Sequence, residues 1–525
     1  MREEEETSSS SSRDQEKQLG LKSTYIDDSS LAHLPQEHRD YLLQRHGTLA
    51  LDPMPSMDPA DPYNWPGWKK TANLILVAVH AMMTTFTAAA IIPAFEIIAE
   101  DLDVSLVKAS YLTSMQIAVL GFGPLLWKPI SNRYGRRPVW LVSVALSGIC
   151  NVGCAVSPNY AAMAACRCLV AFFICPAIAI GSGVVVETFF KKDRGRFMGV
   201  WTLMVTLGPP AGPFFMGFVA EHIGYRWIYW VLAITNLVQL LLYIPFGPET
   251  RYMRVSHTPT TTKPNPKPSP FKAQYLSILT RIDPTPLTAL EFLHPLSLAA
   301  YPSILIPTLS YTFVFGFASV YLTVEIPQIF IPKFALSPQG LGLQFLGIVV
   351  GSVVGEQLAG PLSDWWMNRN RNRDGSEQSS ARPRPRPRPE HRLYLSYLGF
   401  LLAIVGLVVF GVRTEQAAKG HWNVTPIVGI AVAAAGNQIV TTVLVTYAVD
   451  CHGEHSSSIG VFVNVVRSTW GFIGPFWFPD MITKLGVGAS GGLMAGIVFV
   501  VGWLPVLVLQ WRGGRWRARR VEKEG

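Results

Sequence analysis

Apolar residues gather into recurrent blocks of about twenty, and the stretches between blocks hold most of the charge. At about 1.5 Å per residue, a helix of that length crosses a hydrocarbon layer of about 30 Å. The pattern predicts spans at roughly 71–93, 107–127, 138–157, 160–187, 197–220 and 227–247, then at roughly 302–326, 340–363, 393–412, 424–449, 457–481 and 487–510. The fold class is therefore all-α and polytopic: twelve transmembrane helices in two six-helix bundles, over 69–248 and 301–510. A polar stretch rich in Pro, Thr and Lys, residues 249–300, divides the two. Residues 1–68 are acidic and serine-rich with few large apolar residues before Trp65, and are expected to form a disordered tail. Residues 511–525 make a basic tail.

Composition supports a bilayer as the solvent: 49% of the 525 residues are hydrophobic and 15% charged. The net charge of +9 does not point to nucleic acid, because the basic residues lie in alternate connections and on no continuous face. Lys69 and Lys70, Lys128 to Arg137, Lys191 to Arg196, Arg369 to Arg392 and Arg512 to Arg520 form the rich set. By the positive-inside rule both termini and the central segment face the cytosol. The stretch Arg382 to Pro389, with proline at alternate positions, is expected to be extended polyproline II. Five of the six cysteines fall inside apolar blocks and the sixth at a block's end, so neither disulfides nor a metal site is expected. No nucleotide loop or catalytic elbow occurs, which leaves no enzyme reading and no cofactor.

The chain also repeats itself. Lys128-Pro-Ile-Ser-Asn132 closes the second span, and Gly360-Pro-Leu-Ser-Asp364 closes the eighth. The first copy continues Arg133-Tyr-Gly135-Arg136-Arg137. In the fifth span, Gly208 and Gly212 lie four residues apart, followed by Pro213 and Gly217. Glycines at that spacing let another helix approach closely, and prolines kink the backbone.

These elements resemble the major facilitator superfamily. The loop is similar to its Gly-x-x-x-Asp-Arg-x-Gly-Arg-Arg signature, with Lys128 and Asn132 as departures in the first copy, and the fifth span is similar to its antiporter element. Asp61-Pro-Tyr-Asn-Trp-Pro66, Gly224 to Trp230, Pro389 to Leu393 and Tyr447 to Asp450 resemble the fungal twelve-span drug:proton antiporter branch. The resemblance implies a gating role for Asn132, Arg133, Gly135, Arg136, Arg137, Gly360 and Asp364. It also implies that Arg167 in the fourth span takes part in proton coupling.

Charges within spans are costly and become functional hypotheses: Arg167, Glu356 and, at a span end, Asp364 as proton-coupling groups. Glu325 lies near the outer end of its span and is expected to be wet. Gln116, Asn437 and Gln438 sit near the middle of the second and tenth spans, where an amide needs a polar cavity or a partner helix. The expected function is alternating-access transport. The leading form is a proton-coupled antiporter exporting a hydrophobic or amphipathic molecule; the alternatives are a proton symporter for a nutrient or polyamine-like cation and a non-transporting sensor. The expected partners are a small-molecule substrate, protons and the lipid bilayer of a plasma or vacuolar membrane, with the chain acting as a monomer.

Overall fold

Every span expected from the apolar pattern is helical in the computed structural model, which describes residues 35–49, 51–253, 269, 271–276, 281–283, 286–375, 389–452 and 455–524. Of residues 273, 363–375 and 516–524 it describes the backbone alone. Among the described residues, eleven helices are long and apolar enough to cross a membrane. The eleventh expected span is not among them. Its helix Ser456–Ile473 carries Asn464, Arg467 and several hydroxyl residues, which dilute its apolarity, and a short turn at Gly474–Phe476 interrupts it. Helix resumes at Phe478, and Gly486, at φ 81° and ψ 166°, breaks it from the last span in a conformation that glycine tolerates best. Residues such as Ile149, Leu237 and Leu241 stay largely exposed on the outer surface, where lipid covers them.

Prolines decide where several helices bend and how they meet. Pro176 divides the fourth span into Tyr160–Ile174 and Pro176–Thr188 and cannot donate to the Phe172 carbonyl. Trp127 Nε1 donates to that oxygen at 2.8 Å, while Ser143 Oγ and Thr84 Oγ1 bond the Phe173 and Ile174 carbonyls at 2.5 and 3.0 Å. The second, third and first spans thus satisfy a break in the fourth. In the fifth span, Pro209 leaves the Val205 carbonyl without its helical donor, and Thr85 Oγ1 from the first span supplies one at 3.0 Å. The helix Arg194–His222 remains continuous through its three prolines.

The two halves meet along the second and eleventh spans, where Asn464 Nδ2 donates to the Leu120 carbonyl at 2.8 Å. They also meet between the fifth span and the helix Pro338–Gln344 at the end remote from the basic loops. A Cβ built on Gly217 would lie 2.7 Å from the Pro338 oxygen, and one on Gly342 would lie 2.6 Å from the Pro213 oxygen. Every buried residue of the fifth span falls between Gly208 and Ala220. The halves are therefore closed at this far end, whereas toward the basic end the fifth span packs within its own half, with Phe197, Met198 and Trp201 against Leu74, Val185 and Phe189.

The expected disordered tail differs over its second part, since residues 35–66 have defined placement, whereas residues 1–34 lie outside the described set. A helix, Gln36–His46, is followed by a knot of polar contacts around Asp61 and Asn64, both buried. Asp61 accepts from the amides of Ser56 and Tyr63, Asn64 Nδ2 donates to the Ser56 carbonyl, and Tyr63 donates to the Val186 carbonyl at the end of the fourth span. Aromatic rings and buried, hydrogen-bonded Asp61 and Asn64 give this short segment enough contacts to order it. The polyproline stretch lies outside the described residues, and the basic tail continues as helix Leu504–Glu524.

Packing within the second half leaves no room at Gly351, where a Cβ would strike the Ala431 carbonyl, but nothing stands within 4 Å of a Cβ at Gly360. Thermal melts in detergent should show Gly351→Val losing about 1–3 kcal/mol through overpacking, with Gly360→Ala within about 0.5 kcal/mol of the parent.

Candidate functional site

Each arginine of the signature loop does a different job. Gly135 has φ 99°, and a Cβ there would strike the Glu249 carboxylate, so glycine both makes the turn and admits that side chain. Glu249 then accepts from the backbone amides of Arg136, Arg137 and Arg251 at 2.8, 2.9 and 2.8 Å. The first two belong to the free N-terminus of the third span, where the helix dipole also favours an anion. Burial pushes the Glu249 carboxyl up from the ordinary range, and the three backbone amides draw it back. Arg136 pairs with Glu187 at the end of the fourth span at 2.8 Å. Arg137 donates to the carbonyls of Tyr243, Ile244 and Gly247, which satisfies the C-terminus of the sixth span. Arg133 instead binds the central segment, at 2.7 Å to Asp283 and 2.6 Å to Glu291. Glu291 lies on the helix Ala289–Ser297, which packs on both the second and the eleventh span, so the central segment joins the gate.

Asn132 is half-buried beside a recess of about 240 Å³ that Lys128, Glu291, His294 and Ser458 also line. The tie to the eleventh span comes from Lys128, whose Nζ donates to Ser458 Oγ at 2.9 Å. Sequence reasoning read Lys128 as a departure from the signature; its long stem brings a cation to a helix start that a glycine could not reach. The second half carries a counterpart of the Arg136–Glu187 pair, with Arg392 at the start of the ninth span 3.1 Å from Asp450 at the end of the tenth.

The fifth-span element divides its work. A Cβ on Gly208 or Gly212 would meet the backbone of Met82, Phe86 and Ala90, so these two glycines hold the first span inside the first half. Gly217, followed by Pro338 and Gly342 across the interface, is the member that joins the halves. Pro213 contributes through its carbonyl, which faces Gly342.

Two interior clusters hold the candidate coupling and cavity residues. Arg167 is 1% exposed; its Nε and Nη2 donate to the Leu112 and Ala88 carbonyls, each at 3.2 Å, and its guanidinium lies 5.9 Å from the Tyr229 ring centroid. Among the described residues no carboxylate pairs with it. Gln116, one turn beyond Leu112, is buried with both amide atoms unpartnered. In the second cluster, Glu356 accepts from Gln438 Nε2 at 2.6 Å and from Thr442 Oγ1 at 3.1 Å. Gln438 also donates to Thr206 Oγ1 of the fifth span at 3.2 Å, across the halves. Asn437 Oδ1 is buried and unpartnered one residue away. The Asp364 side chain lies outside the described residues, although its backbone continues the helix Leu346–Gly375.

Glu325 needs a correction. It is fully buried with both carboxylate oxygens unpartnered, at the break between the helical segments of the seventh span. Its sequence signal was a carboxylate inside an apolar run, which its nearness to the span end masked.

Two six-helix halves, closed by glycine contact at one end and tied by charged loops at the other, with polar groups bridging between, define a secondary membrane carrier. The model of the Major Facilitator Superfamily matches residues 76–475, and the chain belongs to that family. It is 27% identical over 86% of its length to an efflux pump, radE, of Floropilus chiversii, with 82% of that protein covered. It is 27% identical to the MFS transporter cpaT of Aspergillus oryzae (86% and 88% covered) and 26% identical to the probable efflux pump mfs2 of Aspergillus flavus (80% and 97% covered). The chain is a multi-pass membrane transporter rather than an enzyme.

Replacing Lys128 with Met should loosen the contact between the second and eleventh spans at the basic end. A lost charged donor of about 1 kcal/mol corresponds to a shift of about fivefold in a two-state equilibrium. Spin labels at Asn132→Cys and Ser456→Cys should then report a larger long-distance population in the variant, and unchanged distances would show the bond to be idle.

Proposed function

We propose that the chain is a proton-coupled antiporter that exports a hydrophobic or amphipathic small molecule by alternating access. The observation that carries this reading is Glu356: a titratable group, half-buried, whose partner Gln438 also bonds Thr206 in the opposite half. Protonating the carboxylate weakens its hold on the amide and so alters a contact between the halves. The bonds of Arg167 to two backbone carbonyls leave its guanidinium open to an anionic partner later in the cycle. Gln116, Asn437 and Gln438 supply polar groups toward the substrate path. Export is the direction that the efflux names of the fungal relatives support.

On this reading the basic end faces the cytosol, as the distribution of Lys and Arg requires. Both tails and the central segment lie there, Asp364 closes the eighth span on that side as a gate carboxylate, and the monomer sits in a plasma or vacuolar membrane.

Purified protein in liposomes, given a pH gradient and a panel of labelled apolar compounds, should accumulate one of them uphill. Arg167→Ala and Glu356→Gln should each lower gradient-driven accumulation at least about tenfold, the loss of one coupling interaction of about 1.4 kcal/mol or more, while the proteins still fold. Full uphill transport by both variants would overturn the assignment. A tag in the central segment should stay inaccessible on intact cells; surface labelling there would reverse the orientation.

A further inference from the structure

The seventh span is broken where a membrane helix can least easily hide a break. Pro302–Phe315 gives way to a π-helical stretch, Gly316–Tyr321, then to one short turn, and a new helix, Ile326–Phe334, starts with Glu325 at its N-cap. Such π segments mark functional sites more often than chance. Glu325 is 0% exposed, and neither of its oxygens accepts a hydrogen bond. Its amide donates to the carbonyl of Tyr321 one turn back, whose ring packs edge-on against Phe478 and Phe410. An ionised carboxylate in that setting has neither solvent nor partner and is strongly disfavoured, so the group is neutral when enclosed in this way.

The chain beyond Glu325 leads to the far-end closure. Helix Ile326–Phe334 ends at Ala335, a left-handed turn residue with φ 50°, and Pro338–Gln344 follows directly, bringing Gly342 against Pro213 and Gly217. The titratable groups on the elements packed there include Tyr321, Lys333, Arg413, Glu415, Arg467, Asp480 and Lys484, and, across the gate on the fifth span, Glu221, whose carboxylate accepts from the Gln339 amide at 3.4 Å, and His222, whose Nδ1 lies 3.0 Å from the Phe218 carbonyl. Lys333 donates to the Glu415 carbonyl, Arg413 to Gln416, and Arg467 to Asn464 and Tyr311, while the Glu415 carboxylate accepts from the Gly488 amide. None of them is bonded to Glu325.

We infer that Glu325 is a proton-operated latch for the far-end gate: the gate closes over the neutral carboxyl, and opening it to water releases the proton. This deepens the proton-coupled reading and rests on it for the direction of proton flow. In that reading the far end faces the more acidic side, so a proton taken from there permits closure and the return of the carrier. The proton passes between solvent and the Glu325 carboxyl, with no other reactant.

The test uses the full-length protein in nanodiscs without substrate. A cysteine at Gln339, whose Cα would lie 3.5 Å from a Cβ on Gly217, reports the gate through its rate of reaction with a membrane-impermeant maleimide, in a background lacking other reactive cysteines. The rate is divided at each pH by that of the Glu325→Gln form, which cancels the intrinsic thiol titration. A closure linked to one proton shifts by up to about tenfold per pH unit. The ratio should therefore rise at least about fivefold as pH goes from about 5 to about 9, with Glu325→Asp retaining the rise and Glu325→Gln staying protected throughout. A ratio flat with pH would overturn the latch. So would a Glu325→Gln protein as reactive as its parent at high pH. Pronounced pH dependence in the absence of any gradient-driven transport would sink the antiport reading while leaving the latch in place.

Discussion

Inside a bilayer no water is available to a backbone carbonyl that has lost its helical donor, so each break in a span must be satisfied by another part of the protein. Much of the first half follows from this. Pro176 and Pro209 free carbonyls in the fourth and fifth spans, and Trp127, Thr84 and Thr85 answer them from the second and first. Arg137 does the same for the last carbonyls of the sixth span, and Glu249 for the first amides of the third. The loop signature is, in this protein, the cap of two helices.

That double use separates what could be read in the sequence from what could not. The spans were legible because a bilayer demands long apolar runs, and the eleventh fell short of that demand in the structure because it carries Asn464, used between the halves, and Arg467, which bonds Tyr311 of the seventh span. The roles of Gly135, Arg136 and Arg137 followed from motif spacing only as a group. Their individual partners lie more than fifty residues away along the chain, at Glu187, Tyr243 and Glu249, which local pattern does not encode. Lys128 reads as a defect until Ser458 is brought beside it. Residues 35–66 resemble disorder by composition, yet two aromatic side chains and a few buried polar groups suffice to order them. Burial misled in the opposite sense at Glu325, because exposure near a span end depends on which neighbours fold over it.

The two ends of the molecule are held by different chemistry. At the far end the contacts are short-ranged, glycine against backbone and the Tyr111 ring against Phe476, with the Glu221 carboxylate accepting from the Gln339 amide. At the basic end Arg133 reaches Asp283 and Glu291 in the segment that links the halves, so that closure depends on charge and on the placement of a connection outside the spans.

The bond from Thr85 to the Val205 carbonyl bears on how the family can drift. Pro209 makes that carbonyl needy, and the hydroxyl at position 85 serves it. A lineage that lost the hydroxyl first would carry an orphaned oxygen in hydrocarbon, whereas one that lost the proline first would regain a helical bond and leave the threonine free to change. The two positions should thus drift in a fixed order, with relatives lacking the proline showing the wider choice of residue at the threonine's place.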